Sequence, residues 1–265
     1  GGGGGGEADA WRWTQGAGGV GGPGGTSVGR LGRQLQALPQ YFRRLVKYRQ
    51  MDFDYTFWFL LQLLKSPRTA YRQTTFNKQT KNQWARDDPA MVVVQSGLVA
   101  AAALAYCAAL GGGVGGTLWA VLNAVLVDFL LGGMAIATAC WLLANRYLRT
   151  AGHSHAVEQN VEWMYAFDVH CNSYFPMFLV LYVAQYFLLP ILLGKGFVAA
   201  LLANLLYATG LAYYHYMNFQ GYSALPFLER TELFLFPIGL IAVALPLAIV
   251  AGFNPARYTL SFYFD

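Results

Sequence analysis

The chain has 265 residues, of which 56% are hydrophobic and only 12% charged; soluble domains carry about 25% charged residues, so a water-soluble globular protein is excluded and a bilayer is the natural solvent. Of the 18 Lys and Arg, 13 lie in residues 1–88 beside 6 of the 13 acidic residues, leaving 5 and 7 for residues 89–265. A basic head on an apolar body fits retention of Lys and Arg on the cytosolic side of a membrane before it calls for nucleic acid.

Residues 1–40 open with GGGGGG and continue through GAGGVGGPGG. Such sequence buries too little surface to offset its ordering entropy, so a disordered tail is expected. It holds no charged region followed by an apolar core, and no cleaved secretory signal is expected. Residues 41–88 form a basic cytosolic segment. Within it, residues 54–64 are apolar and aromatic but far short of the ~20 residues a span requires. They lie between Arg43, Arg44, Lys47, Arg49 on one side and Lys65, Arg68 on the other, and stop at Ser66-Pro67. An amphipathic helix lying in the headgroup plane is the predicted form.

Residues 89–265 are predicted to be a five-helix transmembrane domain, with spans at about 89–110, 118–144, 174–193, 197–217 and 233–253, making the whole an all-α polytopic membrane protein. Asp88-Pro89 supplies a cap and a first-turn proline for the first span. Arg146 and Arg149 place the end of the second in the cytosol. The N-terminus and residues 145–172 and 220–232 are then cytosolic, and residues 254–265 form a lumenal tail. Neither an internal repeat nor the two-half symmetry of many secondary transporters is visible.

Cys107, Cys140 and Cys171 are scattered without a CxxC, so neither disulfides nor a zinc site is expected. Asp128, deep in the second span with Asn123 on the same helix, is costly unless paired. It is either an ion or proton site or a structural group bonded to Asn204, Ser173 or a backbone carbonyl. His153, His155, Glu158, Glu162, Asp168 and His170 offer metal donors at the membrane surface, with His215 in reserve. HxH spacing and the lack of HExxH argue against a metal, so no catalytic residue, metal or cofactor is assigned; a metal-dependent enzyme at 162–170 stands as the alternative. Basic residues from Arg43 to Arg86, interleaved with Tyr48, Tyr71, Phe76 and Trp84, suit RNA as well as a lipid surface. No RNP, KH or zinc-knuckle pattern accompanies them.

Four longer blocks carry more information: QMDFDYTFWFLLQLLKSPRTAYR at 50–72, KQTKNQWARDDPA at 78–90, VEWMYAFDVHCNSYFP at 161–176 and GYSALPFL at 221–228. With the ending Ser261-Phe262-Tyr263, they strongly resemble the uncoordinated-fifty family of Golgi membrane proteins, over roughly Tyr41 to Phe264. The resemblance implies a five-span Golgi protein, some members also being found at the inner nuclear membrane. It implies links to surface delivery of nicotinic receptors, to large Arf guanine-nucleotide exchange factors, and, for an animal member, to RNA. No catalytic residues come with it. On the expected topology, residues 78–88, 161–172 and 221–228 face the cytosol. Lys78, Lys81, Trp84, Arg86, Asp87 and Asp88 are therefore expected to contact a partner or lipid, with Trp163, Tyr165, Asp168 and His170 as a second strip. The expected function is a non-enzymatic Golgi trafficking adaptor.

Overall fold

A computed structural model describes residues 51–150 and 159–264, and among them there is no strand, only an isolated bridge between Arg149 and Leu228. The expected Gly-rich tail, residues 41–50 of the basic segment, and His153, His155 and Glu158 lie outside the described residues.

Helix α1, Phe53–Lys65, starts where the Asp52 carboxylate accepts a hydrogen bond from the Tyr55 amide at 2.8 Å. It stops at Ser66, and Pro67, pre-set for a first helical turn, opens α2, Pro67–Lys81. Helix α2 has no counterpart among the elements expected from the sequence. Its end is set by Asn82, which adopts the left-handed conformation at φ 54°. Along α1, Phe59, Leu60 and Leu63 are buried against the bundle while Phe57, Trp58 and Leu61 stay exposed. An apolar face left outside, on a helix of ~20 Å, suits the headgroup boundary of a bilayer.

Among the described residues, five helices are long and apolar enough to cross a membrane: α3 Ala90–Leu110, α4 Val114–Leu148, α5 Trp163–Leu192, α6 Phe197–Ser223 and α7 Thr231–Val250. The Asp88 carboxylate caps the Ala90 amide at 2.9 Å, and Gly111, at φ 82°, closes α3 with a conformation glycine adopts without strain. Two helices differ from expectation. Helix α5 begins at Trp163 rather than residue 174, because Asp168, His170 and Asn172, polar enough to resemble a loop, are buried inside it. Helix α6 runs on to Ser223 for a related reason, with Asn218 and Gln220 buried.

Antiparallel passage of the five helices gathers α1, α2, residues 149–150 and 159–162 and residues 224–230 at one end, here the collar end. Residues 111–113 and 193–196 lie at the far end. The main hydrophobic core occupies the collar half, around Phe59, Trp84, Phe129, Trp141, Tyr165 and Tyr222. From Phe236 to Val250, α7 buries no residue, so its apolar surface is left for lipid.

The expected lumenal tail is instead a helix, α8, Pro255–Phe264, that folds back onto the bundle. Asn254 donates to the Leu192 carbonyl at 2.7 Å, and Asn204 donates to the Phe253 carbonyl at 2.6 Å. Arg257 caps the end of α5 through the carbonyls of Leu193 and Gly194. The last turns of α8 thereby reach between the spans.

Candidate functional site at the collar end

Residues 84–88 lie across the first turns of α5. The amides of Trp84 and Ala85 donate to the Glu162 carboxylate, all at 3.1 Å. One residue on, the Arg86 amide donates to Asp168 Oδ2 at 2.7 Å. The Arg86 guanidinium reaches Asn172 Oδ1 at 2.7 Å, stands 3.7 Å from Asp168 Oδ1, and sits 4.8 Å from the centre of the Phe59 ring. A charge removed from water is tolerated when opposite charge and hydrogen bonds replace hydration, and each is present here. Asp87 takes Lys81 at 2.7 Å and also bonds Gln83, while Asp88 accepts the Asp52 amide at 2.9 Å.

Trp84 packs against Phe227 at 5.8 Å between ring centres, with the Lys78 ammonium 5.7 Å from its ring. Tyr165 donates to the Gly221 carbonyl at 2.7 Å, and Tyr71 of α2 to the Met217 carbonyl at 3.2 Å. Burial pushes the Tyr71 pKa above the ordinary tyrosine value, so it stays a neutral donor. Trp163 bonds the Thr138 hydroxyl at 3.0 Å and stacks on Phe167. His170 meets the Tyr214 hydroxyl at 2.8 Å, and its other face presses on Gly133, where an added Cβ would come within 2.3 Å of Nε2.

The blocks 78–90, 161–176 and 221–228 therefore meet at one end of the bundle. Several of the residues expected at a contact surface are turned inward, however. Trp84 is 4% exposed, Asp168 7% and His170 3%, and Trp163 and Tyr165 are also buried. Their expected place on a contact surface is corrected: aromatic bulk and paired charge turn them inward, where they hold the collar to the bundle. At the surface of this end stand Lys65, Arg68, Arg72 and Lys81, with Lys78, Asp87 and Asp88 partly exposed. Tyr71 and Trp84, two of the aromatics that RNA binding would use for stacking, are likewise internal. Glu162, Asn172 and Phe59 belong to the site yet carry no local motif; Glu162 offered one signal, an acid directly ahead of an aromatic helix start.

The metal alternative loses its geometry. Glu162 holds backbone amides, Asp168 holds Arg86 and His170 holds Tyr214. Among the described residues no three His, Cys, Asp or Glu gather as a metal would need. Asp128 also differs from expectation. Its carboxylate takes the Tyr263 hydroxyl of α8, whereas Ser173 bonds the Val169 carbonyl and Asn204 those of Ala200 and Phe253. Asn123 is half-buried on the same helix.

A bundle of five membrane-crossing helices, with an amphipathic helical collar locked to one end, defines a polytopic α-helical membrane protein. The model of the UNC-50 family matches residues 41–264, and the chain belongs to that family. A Dictyostelium discoideum relative, "Protein unc-50 homolog", is 46% identical over 88% of this chain and 89% of its own. The Homo sapiens "Protein unc-50 homolog" is 38% identical over 84% and 86%, and the Caenorhabditis elegans "Protein unc-50" 39% identical over 85% and 74%. No solved structure matches the chain.

Proposed function

We propose that the chain is a Golgi membrane adaptor whose collar end faces the cytosol, where it helps recruit Arf guanine-nucleotide exchange factors and supports surface delivery of membrane cargo such as nicotinic receptors. The observation that carries the reading is the meeting of the three family-like blocks at one end, beneath a rim of exposed cations. Charge supports the orientation: the collar end bears Lys65, Arg68, Arg72, Lys81, Arg146, Arg149 and Arg230, against Lys195 and Arg257 at the far end among the described residues. A rigid cationic platform at a membrane surface suits both anionic lipid and an acidic protein face.

The test must spare the interior, so it alters exposed residues. Proximity labelling from an N-terminal tag is compared between the intact chain and a Lys65→Gln, Arg68→Gln, Arg72→Gln variant at matched Golgi levels. An Arf exchange factor labelled by the first and largely lost from the second is the expected result. Equal labelling by both, or no exchange factor in either, would sink the adaptor reading.

A further inference from the structure

Between α3, α4, α5 and α6, and bordered by α8, lies a partly open cavity of about 280 Å³. That is many times the space of one water and close to the lower end of small-molecule sites, ~300 Å³. Its wall carries Tyr106, Tyr174, Tyr182, Tyr207 and Tyr263 together with Asp128, and no Lys or Arg. Two more features mark it as built to receive something. Gln185, 3% exposed, lines it, yet its Oε1 accepts no hydrogen bond among the described residues. A buried polar atom left without a partner is rare unless something else supplies one. The helices also widen to π geometry over Asn123–Leu131 and Leu179–Ala184, the stretches that present Asp128 and Tyr182 to the cavity. Such irregularities concentrate at functional sites.

The wall chemistry selects the ligand. One carboxylate, an amide oxygen that can only accept, and five phenol rings surround a space without any cationic side chain. A bare metal ion is too small for it and would lack ligands, Asp128 being the single carboxylate. A neutral alcohol would bring no charge to the carboxylate, whose bonded partner, the Tyr263 hydroxyl, is itself neutral, whereas intramembrane acids are costly and commonly serve as ligand counter-ions. An organic ammonium answers the charge and the rings, because aromatic rings attract it through their π faces and cages of this kind suit quaternary amines. A quaternary nitrogen carries no N–H, so Gln185 Oε1 accepts instead from the choline hydroxyl or, on a lipid, from the polarised N-methyl C–H groups. We propose that this cavity binds a quaternary ammonium group, as free choline or as the choline headgroup of a lipid, with Asp128 as its counter-ion and the tyrosine rings as its cage.

The full chain in phosphatidylglycerol nanodiscs, which contain no choline, is assayed for saturable binding of tritiated choline and, separately, for crosslinking by a photoactivatable phosphatidylcholine. Binding of at least one probe is expected; choline alone would mark the free ligand, and the lipid alone the headgroup. Asp128→Asn keeps an oxygen for Tyr263 and should weaken the bound probe by about tenfold. The uncharged isostere 3,3-dimethylbutan-1-ol should not compete. Should Asp128→Asn fail to fold, Tyr207 decides: Tyr207→Phe retains binding and Tyr207→Leu weakens it. No binding of either probe, equal competition by the isostere, or unchanged affinity in Asp128→Asn and Tyr207→Leu would overturn the assignment.

Discussion

The two halves of α5 run through the same bundle yet are packed by different rules. From Trp163 to Phe178 every side chain except Met164 and Met177 is buried, and the charged ones are matched by Arg86 and by backbone amides. From Leu179 to Ala184 none is buried, and beside that stretch lies the cavity beneath α8. A span can thus be rigid at its more polar end and accommodating at its more apolar one. What differs is how closely its neighbours press on it.

Removing the lock at the tight end should have the largest effect. Arg86→Ala leaves Asp168 buried without its cation, which costs about 3–5 kcal/mol for a buried pair. Thermal unfolding of the purified chain in detergent measures it, and a loss below about 1 kcal/mol would break the contrast. Two glycines sharpen it further. At Gly133 an added Cβ would come within 2.3 Å of the His170 ring, which Phe129, Phe167, Tyr174 and Tyr214 surround; Gly133→Ala should cost about 1–3 kcal/mol. At Gly210 the Cβ would meet Leu181 at 2.8 Å, but Leu181 borders the cavity and has room to turn, so Gly210→Ala should cost less in the same assay. The smallest change is expected from Asp128→Asn, which retains an acceptor for Tyr263 and removes a costly charge: stability should stay within about 1 kcal/mol of the parent.

Hydropathy made the class of fold and the existence of five spans legible, and the aromatic α1 between its basic flanks was readable as interfacial. The true start of α5 was not. Asp168, His170 and Asn172 look like loop residues until Arg86 and Tyr214, far away in sequence, are known to meet them. Helix α8 was readable in part. Asn254 accepts the Arg257 amide at 3.0 Å as a cap, Pro255 opens the helix, and Ala256, Leu260 and Tyr263 repeat at helical spacing. A short amphipathic segment after the last span resembles a tail only when spans alone are counted. At the site, topology was enough to bring the three blocks to one end. Whether their aromatics point outward or inward depends on packing, which no single segment encodes.

The latch between Arg86 and Asp168 joins positions 82 residues apart, with α3 and α4 lying wholly between them. Contacts of that separation form late, because the intervening chain must be ordered before they can close. Synthesis delivers Arg86 long before its acceptors, so the collar stays undocked until α5 has entered the bundle. Docking of residues 84–88 therefore requires the first three spans to be in place.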